Sequence, residues 1–135
     1  MRRLVVLVGT LTVLALAATA AAAGRKPPPF PPLPAGSTHA EINVKIAGQL
    51  HTLIIDRGRI VLAGPRNMLL HESDGTNVVI PLSPDTIVQP AGFTIYDLRR
   101  GLTVDAMRID DGAAVRVRVR GKAALRAASR LAAAP

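Results

Sequence analysis

Three arginines near the C-terminus carry the clearest chemical possibility in this chain. Arg116, Arg118 and Arg120 alternate with Val115, Val117 and Val119. On a strand, side chains two apart share a face, so the guanidinium groups would form a row about 7 Å apart. Such a row suits the phosphates of an anionic polymer, a wall polymer, lipid headgroup or nucleic acid. Arg126 and Arg130 would extend it. The competing reading is a solvated strand face whose charge protects a sheet edge.

Other residue types offer less. His39, His51 and His71 lack the i, i+2 or i, i+4 spacing that puts two imidazoles on one face of a strand or helix. A metal site from them with Glu41 or Glu72 would have to be assembled by the fold. Surface histidines are the expectation, and no metal or other cofactor is expected. Asp110-Asp111 precedes Gly112, so a turn accounts for the pair, and no loop carries the spacing of a calcium loop. The serines at 37, 73, 83 and 129 lie outside any nucleophile-elbow pattern. No enzymatic activity is expected. Without cysteine, disulfides, thiolate chemistry and a lipid-anchor cysteine are excluded.

The net charge of +8 is unevenly distributed. Residues 38–115 hold nine acids and seven bases, whereas residues 116–135 hold six bases and no acid. Basicity at the ends, with only Phe93 and Tyr96 as stacking platforms in the body, argues against nucleic acid as the partner.

The organisation follows from composition. Residues 1–23 have a positive start at Arg2-Arg3, an apolar run from Leu4, and Ala-rich small-x-small sites. They read as a secretory signal peptide. The rival reading is an uncleaved anchor, the one route to a membrane, since the run is long enough to span. A secreted or cell-envelope location is expected either way. Residues 24–38 are a Pro-rich linker, extended because proline fixes φ and removes a donor. Residues 39–121 are the folded domain, and residues 122–135 a basic Ala-rich tail, a frayed helix at most.

Within the domain, Glu41 to Ile46 alternates as a half-buried strand. Beyond Gly48 the chain either turns back as a hairpin or continues as one bent strand, and the hairpin is favoured. Asp56-Arg57-Gly58-Arg59 reads as a turn, Ile60 to Ala63 as a short strand, and Gly64-Pro65-Arg66-Asn67 as another turn. Met68 to Glu72 and Asn77 to Leu82 flank Asp74-Gly75, the signature of a two-residue hairpin turn. Ser83-Pro84-Asp85-Thr86 is a turn, Asp97 caps one helical turn ended by Gly101, and two strands follow around Asp110-Asp111-Gly112. Six to eight short strands without a long amphipathic helix predict an all-β fold, a small antiparallel barrel whose closure would remove exposed edges.

The run Gly58-Arg59-Ile60-Val61, the stretch from Met68 to Gly75, Val78 to Thr86, and Asp97-Leu98-Arg99-Arg100-Gly101-Leu102-Thr103-Val104 together resemble the exported bacterial small β-barrel domains of OB-like type. The resemblance covers residues 58–119. It implies the fold and export but no ligand and no catalytic residues, because that family has no settled activity. The expectation is therefore an exported, monomeric, non-enzymatic binding or structural module of the cell envelope, or alternatively an anionic-polymer binder through Arg116, Arg118 and Arg120.

Overall fold

The computed structural model describes residues 27–133, so the signal-peptide reading lies outside the described residues. In chain order the elements are β1 (His39–Ile46), β2 (Gln49–Ala63), β3 (Asn67–His71), β4 (Asn77–Pro81), β5 (Ile87–Gln89), a 3₁₀ turn (Ile95–Asp97), β6 (Thr103–Ile109), β7 (Ala114–Val119) and α1 (Lys122–Ala132). The fold is mostly β, with seven strands in one sheet, antiparallel except where β5 runs parallel to β7. No helix among the described residues is long and apolar enough to cross a membrane.

β2 is the spine. Its first half pairs with β1, from Ile46↔Gln49 to His39↔Asp56, through a hairpin in which Ala47 and Gly48 both have positive φ, 52° and 85°. Its last residues pair with β3, from Arg59↔His71 to Ala63↔Met68. β6 pairs with residues Leu53 to Arg59 of β2. A strand has two edges, so β1 and β3 lie in tandem along one edge and β6 along the other.

The expected turn at Asp56-Arg57-Gly58-Arg59 is therefore absent, and β2 runs through it for 15 residues. Glycine is needed there for packing, not for turning. A Cβ at Gly58 would lie 2.8 Å from the carbonyl oxygen of His71.

The expected barrel does not close. The strand path runs β4-β3-β2-β6-β7-β5, leaving β4 and β5 as its ends. β5 is only three residues long, and Pro81 and Pro90 cannot donate to a closing ladder. Ile95 and Leu98, with Ala123 of α1, instead complete the main core around Ile60, Met68, Leu70, Ile80, Val104 and Val117.

A second, smaller core lies on the opposite face of the sheet. Leu53, Ile55 and Met107 meet Phe30 and Leu33 of the Pro-rich segment there. The segment is thus packed onto the domain along part of its length. α1 is an 11-residue helix over the basic tail.

Candidate functional site

The arginine row lies on the face that alternation predicts, because Val117 and Val119 enter the main core. A bulge opposite Met107 and Arg108 shifts the phase at the start of β7, so Ala114 enters that core and Val115 packs with the second one. The arginines, however, meet protein groups. Asp105 lies opposite Arg57 in the β2–β6 pairing and opposite Arg118 in the β6–β7 pairing. Its fully buried carboxylate accepts from Arg57 Nε at 2.7 Å, Arg118 Nη2 at 2.8 Å and Arg120 Nη1 at 2.9 Å. Burial alone would push this carboxyl up. The three arginine hydrogen bonds outweigh it and hold the group below its ordinary value. Arg116 is buried, with Nη2 donating to the Pro27 carbonyl at 3.0 Å, and the Arg118 guanidinium lies 4.5 Å from the centre of the Phe30 ring. The row is a structural network between the sheet and the Pro-rich segment.

Cations also converge elsewhere. Arg99, Arg126 and Arg130 line an open groove of about 440 Å³ between α1 and the segment preceding β6, with Phe93 and Leu102 as its apolar lining. On α1, positions 123, 126–127 and 130 recur at helical spacing, which puts these residues on one face. Asp97, in the same groove, is occupied. It accepts from Thr94 N at 2.7 Å and Thr94 Oγ1 at 2.8 Å, and these bonds hold its carboxyl low. Thr94 therefore opens the 3₁₀ turn, and Asp97, expected to cap it, sits at its end and fastens it. Among the described residues, Arg99, Arg126 and Arg130 form no ion pair.

The third cluster sits beside Gly58, where β1 and β3 come end to end. His39 opens β1 opposite Asp56 of β2. Glu72 follows β3 and is held by its backbone, with Glu72 N donating to Thr76 O at 2.8 Å. That bond closes a three-residue loop in which only Gly75 has positive φ, 92°, so the turn is one residue longer than the Asp-Gly pair predicts. One donor atom from each of His39, Asp56 and Glu72 lies within 4.8 Å of the others. Asp56 and Glu72 are 1% and 3% exposed, whereas the His39 side chain is 45% exposed.

The contacts within this cluster are specific. His39 Nδ1 lies 2.7 Å from Asp56 Oδ1, and Arg108 Nη2 donates to Asp56 Oδ2 at 3.0 Å. Glu72 Oε1 is buried without a hydrogen-bond partner among the described residues. Burial, then the neighbouring Asp56 and Asp74 charges, push the Glu72 carboxyl up. The hydrogen bond to Asp56 pushes His39 up against its partial burial. These donors suit a cation, although no metal site is expected from the sequence. The other histidines are engaged separately, His51 with Asp110 at 2.9 Å and His71 with Asn77 at 2.8 Å.

Sequence reasoning considers His39 and Glu72 only as remote possibilities and misses Asp56, which it assigns to a turn. Nothing in their spacing reveals the cluster. It depends on the registers of two strands against β2. No family model, curated protein or solved structure matches the chain.

Proposed function

We propose that this protein is an exported, non-enzymatic binding module of the cell envelope that holds an anionic polymer in the groove lined by Arg99, Arg126 and Arg130. The observation that carries this reading is the convergence there of three guanidinium groups without a carboxylate partner among the described residues. Guanidinium groups recognise phosphate and carboxylate through paired hydrogen bonds. Among the described residues, Asp97 is the one acid lining the groove; it is bonded to Thr94, and the Arg99 charge acts on it without forming an ion pair. Phe93 and Leu102 give apolar contact beside the charges, as a polymer with both kinds of group needs.

Export rests on the character of residues 1–23 and on the likeness of residues 58–119 to exported small β-domains. Arg116, Arg118 and Arg120 act as scaffold in this reading, because Asp105, Pro27 and Phe30 engage them. The test is salt-dependent retention of the full chain on an immobilised polyphosphate column. Wild type should elute at clearly higher salt than the Arg99→Ser, Arg126→Ser, Arg130→Ser triple variant. Equal elution of the two rejects the groove as the binding site.

A further inference from the structure

We propose that His39, Asp56 and Glu72 bind one divalent transition-metal ion of the zinc class. The three ligands come from separate places in the chain, the start of β1, the middle of β2 and the end of β3. β2 brings them together by accepting β1 and β3 end to end along one edge. Their donor atoms already lie within 4.8 Å of one another. Zinc–nitrogen and zinc–oxygen bonds of about 2.0–2.2 Å place tetrahedral ligand atoms about 3.3 Å apart, so the 2.7 Å His39 Nδ1–Asp56 Oδ1 pair opens slightly while Glu72 closes in. The half-exposed His39 ring, on the outer side of the cluster, has the freedom to make the adjustment.

Glu72 is the observation that points to a ligand. Glu72 is 3% exposed, and its buried Oε1 has no hydrogen-bond partner among the described residues. An unsatisfied buried acceptor is destabilising, and more so when charged. A cation bound between Glu72 and Asp56 removes that penalty and the repulsion between the two carboxylates.

The surroundings orient the donors as metal sites require. Arg108 holds Asp56 by Oδ2, which leaves Oδ1 directed at His39. Glu41 Oε1 lies 3.4 Å from His39 Nε2, the far side of the ring from Asp56. A carboxylate on the outer imidazole nitrogen is the usual support of a metal-bound histidine. Glu41, Asp56 and Glu72 outnumber Arg108 as charges around the cluster, so the site favours a dication. When the ion binds protonated His39, the Nδ1 proton is released to solvent, and Nε2–H remains toward Glu41.

The donor set selects the class of ion. One imidazole and two carboxylates suit zinc and its first-row neighbours. Calcium takes six to eight oxygens, which this cluster does not supply. Solvent reaches the site on the His39 side, where water completes the coordination.

The experiment is equilibrium dialysis of the untagged full chain against Zn²⁺, with bound metal measured directly and Co²⁺ absorption as a second probe. Wild type should hold one Zn²⁺ per chain, and Co²⁺ should give the visible bands of a nitrogen–oxygen site. Glu72→Gln and His39→Asn should each lower affinity by about 100-fold or more, beyond the loss expected from an outer-shell partner alone. His39 is half-exposed, so His39→Asn remains informative if Glu72→Gln fails to fold. His51→Asn and His71→Asn should bind as wild type. The proposal is overturned if wild type takes up no stoichiometric Zn²⁺, if His39→Asn binds as tightly as wild type, or if binding is lost instead with His51 or His71.

Discussion

Asp105 and Arg118 face each other directly across the β6–β7 pairing, and the carboxylate receives both Nε at 3.2 Å and Nη2 at 2.8 Å. Arg57 approaches the same carboxylate from the β2 side. One buried acid therefore ties three adjacent strands together through side chains as well as through the ladder. Asp105→Asn should lower unfolding free energy by about 3 kcal/mol, the scale for removing one member of a buried ion pair. Urea denaturation measures this, and an unchanged midpoint contradicts the role.

The same carboxyl makes a pH prediction. Asp105 titrates below its ordinary value when folded, so its stabilisation is complete above the unfolded value near 3.8. It is lost as pH falls through the lower folded value. Wild type should therefore lose stability on acidification below about pH 4, and Asp105→Asn should show a shallower dependence there. Parallel curves for the two proteins would exclude Asp105 as a source of that slope.

Phe30 covers Arg118 and joins the second core. Phe30→Ala should destabilise by about 1–3 kcal/mol through lost packing and cation–π contact. It should also free the Pro-rich segment, so amide hydrogens near Ser37 should exchange faster. Leucine at this position should restore most of the packing term but not the cation–π term.

Gly58→Ala places a methyl group against the His71 backbone carbonyl, which cannot rotate away. A loss of about 1–3 kcal/mol is expected, on the scale of overpacking. Thermal unfolding reports it, and a variant as stable as wild type would mean that β3 yields easily at this point.

Removing residues 122–135 deletes one wall of the arginine groove and, among the described residues, only Ala123 from contact with the main core. The truncated chain should still unfold cooperatively, with a modestly lower midpoint, and should lose retention on polyphosphate. Non-cooperative melting would show that α1 is needed for the sheet.

Much of the fold is legible in the residues. The alternation of Ile42, Val44 and Ile46, the turn at Ser83-Pro84-Asp85-Thr86 and the final Val–Arg strand all act locally, through side-chain period or backbone preference. Gly58 misleads because a glycine flanked by Asp56, Arg57 and Arg59 has turn composition, whereas its real constraint comes from a carbonyl 13 positions later. The barrel expectation fails for a related reason. Short strands with turns at regular spacing describe closed and open sheets alike, and the second core depends on a segment before the first strand. Alternation places Arg116, Arg118 and Arg120 on one face, but what they bond to depends on Asp105 on another strand and Pro27 on the linker. His39, Asp56 and Glu72 are hidden further, since two independent registers must both be right before they meet.

β1 and β3 share one edge of β2, and the edge has a fixed length. A strand that ends in open space at a sheet edge meets no steric stop to sliding, and only its side-chain pattern and turn hold its register. Here a slide of β1 toward the far end of β2 would run into His71, and a slide of β3 the other way would run into His39. Each strand is a stop for the other. An insertion at the outer Ala47-Gly48 turn can bulge into solvent, but one extra residue beside Gly58 has no room along the edge. Length variation in this protein should therefore be accepted at the hairpin tips and rejected at the seam where the two hairpins abut.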